Sequence, residues 1–445
     1  MKNLVYVRPW NKDQFSDLAS KKWSRDKFVL TSEHSSVDES GLYNGFYKGM
    51  DLIRDHKLIS ILSEEQIRDV IDRCRLLRSV DSKLARELVF AMEYAIEKIL
   101  DKYSPKVILS ITVDSYILHL FTLACDRRRI EFVGLVPTFV NGYFRVTKIG
   151  ERQRERKVTV DECESVLKNL DNENYKPGFL PINLRSQNRK STVNKLKNII
   201  KPIWFFLRRY ISGDLYNYHY YSSQLVSYKY CSLTPISYIG VTLNHGSEIF
   251  AYSNLRKIVF IPLQMSPEAT VDYWSSDKSW IDYENKIIAL IEILSRKYCV
   301  VVKEHPNVIG QRTRGFYKAL QDFHTNNKCV LVDAHVNSNL LLSVTDGLLL
   351  CTGSVGFEAA LRGIPVYTDS SPFHLCASIC HPISELLAGD LQNRKIMLHN
   401  DKIEMVEFLL SAMFKGVFIN DGTWRDVNAP QGDIASALEV YCEHS

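Results

Sequence analysis

"CVVVKEHP", residues 299–306, is an apolar run that stops on a cation, an anion, an imidazole and a proline. A strand of unbroken Val cannot alternate between core and solvent, so it must be covered on both faces. That is the condition of a parallel sheet flanked by helices. The polar tip then marks the end at which such sheets hold ligands. Lys303, Glu304, His305 and Pro306 are therefore candidate ligand-binding residues, with His305 as a donor to a phosphate or carboxylate and Pro306 stiffening the loop. A loop histidine satisfied by its own surroundings is the plain alternative.

The flanking sequence repeats the pattern. "KIVFIPLQ" (257–264) reads as a strand, and "ENKIIALIEILSRKY" (284–298) as a helix. "RGFYKALQDFH" (314–324) is a helix and "CVLVD" (329–333) a strand. "VNSNLLLSV" (336–344) is a short helix, "TDGLLLCTG" (345–353) a strand, "SVGFEAALRG" (354–363) a helix and "IPVYTD" (364–369) a strand. Alternation of this kind predicts a doubly wound parallel domain. A second, shorter copy lies upstream, with strands at "KVILSITV" (106–113) and "IEFVGLV" (130–136) around a helix at 114–129. Two further helices precede it, with caps expected at Ser63 and Asp81.

Composition bounds the classes. The 445 residues suffice for two or three cores. A net charge of +5 is too mild to argue for nucleic acid. The ten cysteines form no Cys-x-x-Cys pair, which points to reduced thiols in a cytoplasmic protein and away from zinc. No stretch has the length of a signal peptide's apolar region or of a membrane span. Walker, nucleophile-elbow and HExxH motifs are absent, and no Asp-x-Asp pair stands at a strand tip, so no metal and no cofactor is expected.

Two more tips join the first. At "CTGSVGFEAALRG" a strand runs through Thr352, Gly353 and Ser354 into a helix. Gly353 allows close backbone approach, Ser354 is a candidate cap, and Glu358 stands one turn in, where it can reach a ribose diol. At "IPLQMSPEATVDYW" Gln264, Glu268 and Asp272 follow the strand.

The three tips together resemble the capsule polysaccharide biosynthesis family, bacterial GT-B-like glycosyltransferases that include the Kdo transferases. The resemblance runs over about 257–370 and rests on "FIPLQMSPEAT", "VVKEHP" and "CTGSVGFEAALRGIPVYT". It implies two Rossmann-like domains facing across a cleft, a CMP-sugar donor (best guess Kdo or another ulosonic acid) and a bacterial surface glycan as acceptor. It implies that His305 and Pro306, with Thr352, Gly353, Ser354 and Glu358, hold the CMP. The expected division is 1–240 for acceptor and catalysis, 241–415 for the donor, and 416–445 as a tail packing back on the first domain.

A GT-B enzyme places its chemistry in the N-terminal domain. The best carboxylate there is Asp114, at the end of "KVILSITV", as base for inversion or nucleophile for retention; an N-cap is the plain alternative. Glu151 is the second candidate. Arg145 is a candidate fork for the donor's own carboxylate; surface pairing with Glu151 or Glu155 is the plain alternative. The segment 192–221, and within it "KLKNIIKPIWFFLRRY" (195–210), carries cations beside Trp204 and Phe205; it suits the inner face of a membrane bearing a lipid-linked acceptor, and equally an ordinary core helix whose cations snorkel to solvent. Two rival readings share this fold: a UDP-sugar enzyme such as an epimerase, and a non-catalytic capsule-assembly protein.

Overall fold

The computed structural model describes residues 2–55, 58–152, 155–172, 175, 200–230, 240–266, 268–308, 312–376 and 378–418. The chain divides into two compact units. The first takes Met1–Glu155, Trp204–Val226 and the chain from Ala412; the second takes Arg156–Ile203 and Ser227–Ser411.

The first unit opens with strands β1 (Asn3–Tyr6), β2 (Phe28–Thr31), β3 (Val107–Ile111), β4 (Glu131–Pro137) and β5 (Tyr143–Val146). The second unit supplies β6 (Ile258–Pro262), β7 (Cys299–Lys303), β8 (Val330–Val332), β9 (Gly347–Leu349), β10 (Val366–Tyr367) and β11 (Cys380–His381). The last strand, β12 (Phe414–Lys415), returns to β5 in the first unit.

The second sheet has the order β11-β10-β9-β6-β7-β8, parallel throughout. Numbered from its own first strand this is 3-2-1-4-5-6, the Rossmann order, and its direction reverses between β6 and β9. At such a reversal the loops leaving the two strands part to opposite sides, and the crevice between them is where sheets of this order hold ligands. β7 is buried at all five positions, and Val259, Ile261, Val300, Val302, Leu331 and Leu349 are at most 1% exposed. Both faces are covered, as the apolar runs require.

The first sheet has the order β12-β5-β4-β3-β1-β2. Strands β1 to β4 run parallel, while β5 turns back on β4 through Gly142 at φ 82°. Its reversal lies between β1 and β3. Each expected strand is present; the one expected at 130–136 is shifted by one residue at equal length, and the others are shorter by two or more. The expected caps hold: Ser63 forms a capping box with Gln66, and the Asp81 carboxylate accepts from the Leu84 N–H. Asp114 is not a cap. Ser115 takes that place, its Oγ accepting from the Leu118 N–H, and the helix runs Tyr116–Arg128.

The tip of β7 splits its four polar residues between two directions. Glu304 turns inward and is fully buried against an equally buried Arg312. Arg312 Nε donates to Oε2 at 2.7 Å and Nη2 to Oε1 at 2.8 Å; the Tyr317 hydroxyl and the His305 N–H complete the set at 3.0 and 2.7 Å. Arg312 Nη2 also donates to the Gln264 carbonyl at the end of β6. Removing one partner of a buried ion pair strands the other, at a cost of about 3–5 kcal/mol. Glu304→Gln keeps the shape and loses the charge, so its urea midpoint is expected well below wild type with the slope unchanged. An unaltered midpoint would show that the pair does not hold this loop.

Candidate functional site

In the second unit the polar tips meet at the β6/β9 reversal. Gln264 leaves β6 and spans the crevice: its Oε1 accepts from the N–H groups of Cys351 and Thr352 at 3.1 and 2.8 Å, and its Nε2 donates to Thr352 Oγ1 at 3.0 Å. Its own N–H is held by the buried Tyr283 hydroxyl at 2.8 Å. Beyond Thr352 the chain passes Gly353 and Ser354 into the helix Val355–Leu361. Ser354 has helical backbone angles, and its hydroxyl makes no capping bond. A Cβ on Gly353 would lie 3.6 Å from the Gln264 side chain, an ordinary contact, and φ there is not positive. His374, 2% exposed, has Nε2 at 3.2 Å from the Gly353 carbonyl, where it donates and fixes this turn.

Charge around this crevice is held away from water. Lys303 is 8% exposed and its Nζ donates to Ser338 Oγ at 3.3 Å. Burial pulls its pKa down to about 8, against the pull of Glu304, Asp333 and Glu358. His305, half-buried, is pushed down to about 4 by burial and by the neighbouring charges of Lys303 and Arg312, so it stands neutral. Burial raises the Glu358 carboxyl, opposed by Arg362 and Lys303. Lys303, His305, Gln264, Thr352 and Glu358 thus share one end of one sheet. Glu304 points away from it, into the Arg312 pair. Glu268 stands before the short helix Ala269–Asp272, where it accepts from Thr270 Oγ1 at 2.8 Å, and Asp272 is buried.

In the first unit a buried arginine organises the strand ends. Arg8 follows β1, 4% exposed. Its Nε donates to Glu33 Oε1 at 2.9 Å, beyond β2. Its Nη1 and Nη2 donate to Asp114 Oδ2 and Oδ1 at 2.6 and 2.9 Å, beyond β3. Nη2 also reaches Ser115 Oγ at 3.2 Å, and the Tyr6 hydroxyl donates to Glu33 Oε2. Burial works to raise the Asp114 pKa, but the charge and fork of Arg8 outweigh it and leave it below the usual carboxylate range. The Asp114 side chain keeps 25% exposure. Beside Glu33, His34, 4% exposed, accepts at Nδ1 from Asn217 Nδ2 at 3.2 Å. The same amide nitrogen faces Glu33 O and Asp214 Oδ2, which fixes its orientation and leaves the imidazole proton on Nε2. Burial lowers the His34 pKa, so the ring is neutral.

Glu151 and Arg145 stand apart from that cluster. The Glu151 carboxylate accepts from the N–H groups of Lys148 and Ile149 at 2.9 and 2.7 Å and from Thr147 Oγ1 at 3.0 Å. Arg145, 1% exposed, donates through Nη2 to the carbonyls of Gly150 and Glu151 at 3.0 and 2.8 Å. Together they close the turn after β5, and the Lys148 carbonyl of that turn accepts from Val113 at the end of β3. Both residues brace the segment before Asp114.

Arg8, Glu33, His34, Arg312 and His374 were not singled out from the sequence. "NLVYVRP" and "FVLTSEH" carry the signature of "VVVKEHP", an apolar run cut by charge, and that signal would have found the first three. Arg312 and His374 follow no strand and carry no such mark.

The sequence model of the family described as "Capsule polysaccharide biosynthesis protein" matches residues 197–379. A search of curated proteins finds no match. Among solved structures, the chain is similar to the beta Kdo 2,4 transferase KpsC of Thermosulfurimonas dismutans, at 15% identity over 69% of this chain and 81% of that one, with a TM-score of 0.34. It is also similar to UDP-GlcNAc 2-epimerase of Neisseria meningitidis bound to UDP-GlcNAc, at 11% identity over both whole chains and a TM-score of 0.25. Anabaena Alr3699/HepE, in complex with UDP-glucose, is similar at 12% identity over 92% and 93%, with a TM-score of 0.25. These likenesses are too distant to bear on substrate. Over residues 197–379, which include β6 to β9 and every tip of the second crevice, the chain resembles the capsule polysaccharide biosynthesis family.

Proposed function

We propose that the chain is a glycosyltransferase that moves a ulosonic acid such as Kdo from a CMP-sugar to a growing bacterial surface glycan, of capsule or lipopolysaccharide. The observation that carries this reading is the gathering of Lys303, His305, Gln264, Thr352 and Glu358 at the reversal of a Rossmann-order sheet, within the stretch matched by the capsule family. The phosphate meets the N–H of neutral His305 and the ammonium of Lys303; Glu358 takes the ribose diol. Among the described residues nothing demands glycine at 353, where a Cβ would make an ordinary contact with Gln264. Both donors stabilise charge developing on the departing CMP. No metal enters the proposal, because no Asp-x-Asp pair stands at a strand tip.

Asp114 is the carboxylate that acts at the anomeric carbon. Held ionised beside Arg8 and Arg75, its carboxylate suits a cationic, oxocarbenium-like transition state. Glu151 is held by its turn, and Arg145 with it, so the donor's own carboxylate needs another partner.

The reading extends to an anionic membrane surface as a second contact. Residues 200–211 are helical, and Ile200, Ile203, Trp204, Phe206, Leu207, Tyr210 and Ile211 are all exposed, beside Lys201 and Arg208. Arg209 does not belong to that face: it is buried, donates to the Leu215 carbonyl at 2.7 Å and stacks 3.6 Å over the Tyr221 ring. Residues 195–199 lie outside the described residues. Among the described residues no helix is long and apolar enough to cross a membrane.

Calorimetry with CMP, UDP, GDP and ADP tests the donor. CMP is expected to bind, and His305→Ala to weaken it about tenfold with little change in melting temperature, since a half-buried tip residue supports little core. UDP binding clearly tighter than CMP would replace the donor with a UDP-sugar; a low-melting His305→Ala of full affinity would make the histidine structural.

Co-sedimentation with liposomes tests the surface. Binding is expected only with anionic lipid and to fall as salt rises. A variant with Trp204→Ser, Leu207→Ser, Lys201→Gln and Arg208→Gln that sediments as wild type does would remove the membrane contact.

A further inference from the structure

We propose that Arg8, anchored by Glu33, is the positioning residue of Asp114: it sets the plane of that carboxylate and leaves the outward lone pairs to the reacting sugar. The inference rests on the reading of Asp114 as the reacting carboxylate.

Arg8 has the means to impose an orientation. Its guanidinium is planar and donates along fixed directions, so three acceptors determine its position. Those acceptors come from different strand ends: Glu33 beyond β2, and both oxygens of Asp114 beyond β3. Its backbone is held as well, the Arg8 N–H donating to Asn11 Oδ1 at 2.7 Å. Glu33 is fixed in turn by the Tyr6 hydroxyl. The guanidinium carbon lies 5.6 Å from the Trp10 ring and 5.7 Å from the Tyr218 ring, which wall off alternative placements. Tyr218 also donates to the Asp114 carbonyl at 3.2 Å, so main chain and side chain are both tied.

The fork uses one lone pair on each Asp114 oxygen and leaves one on each. Ser115 gives one further hydrogen bond to the carboxylate, and the side chain keeps 25% of its surface open to solvent for a reacting group. A free aspartate there would rotate about χ2 and gain a proton more readily. Paired with Arg8 it stays ionised and still, which is what a base or a nucleophile at an anomeric carbon needs. Burial works to raise the Asp114 pKa; the charge and fork of Arg8 are the largest effects lowering it, with the charge of Arg75 and a hydrogen bond from Ser115 adding to them.

The test is the pH dependence of CMP-Kdo consumption by the full chain and by Arg8→Lys, Arg8→Gln and Asp114→Asn. A carboxylate held low by Arg8 keeps activity until the pH falls through its depressed pKa. Losing the fork raises that pKa, so the acid limb of kcat moves to higher pH, by about one to three units in Arg8→Gln and by less in Arg8→Lys. KM for the donor is expected to hold within about twofold, because the nucleotide contacts lie in the other unit. Arg8 variants with a wild-type acid limb, or with a uniform loss at every pH, would overturn the proposal. If Arg8→Gln does not fold, carboxyl carbon NMR of wild type labelled at aspartate, with the resonance assigned by Asp114→Asn, decides it. A midpoint well below about 3.9 is expected, and an ordinary midpoint overturns it. The two readings fail separately: full turnover by Asp114→Asn removes both, whereas its loss beside unaffected Arg8 variants removes only the role of Arg8.

Discussion

A guanidinium buried at the carboxyl end of each sheet is the interaction on which the rest of this structure depends. Arg312 ties the end of β7 to the end of β6 through Glu304 and the Gln264 carbonyl. Arg8 ties β1 to β2 and β3 through Glu33 and Asp114. Parallel strands end in the same direction, and their loops leave toward opposite sides at a reversal. Nothing in the backbone ladder fixes those loops. A planar five-donor group does, because it reaches two or three strand ends at once. Such pairs add little net stability against an apolar replacement, since desolvation offsets attraction. What they provide is a defined position for the residues beside them.

The two units use this differently. In the second, both partners of the pair are closed to solvent, and the neighbours of the pair, Lys303, His305, Gln264 and Thr352, line the crevice. The pair is the frame, and the ligand-facing groups are next to it. In the first, one partner of the pair is itself open to solvent, so Asp114 is both framed and available.

Much of this was legible in the sequence. Unbroken Val, Ile and Leu runs forced the parallel sheets, because such strands tolerate no wet face, and each run ended on the residues now found at a crevice. The first two strands, in "NLVYV" and "FVLT", are too short for pattern alone to separate them from loop, and Arg8 and Glu33 show as strand-tip residues only by likeness to the longer run at β7. Asp114 was found, but as a helix opener; capping needs only one small polar side chain, and Ser115 supplied it. Glu304 was placed with the ligand because charge at a strand tip looks alike whether it faces solvent or a buried partner. Its partner, eight residues on, has no spacing rule to reveal it. Arg145 and Glu151 likewise carried the right chemistry, and only the geometry of their turn shows what they hold.

The central claim is that sugar transfer depends on the charge of Asp114, with the nucleotide held in the other unit. Supplying the full chain with CMP-Kdo and a capsular acceptor glycan, and following CMP release in wild type and Asp114→Asn, tests it most directly. The account predicts that the substitution lowers release by two or more orders of magnitude, roughly the cost of a lost catalytic carboxylate, while CMP affinity and melting temperature stay near wild type. Release by Asp114→Asn at a rate close to wild type would contradict it.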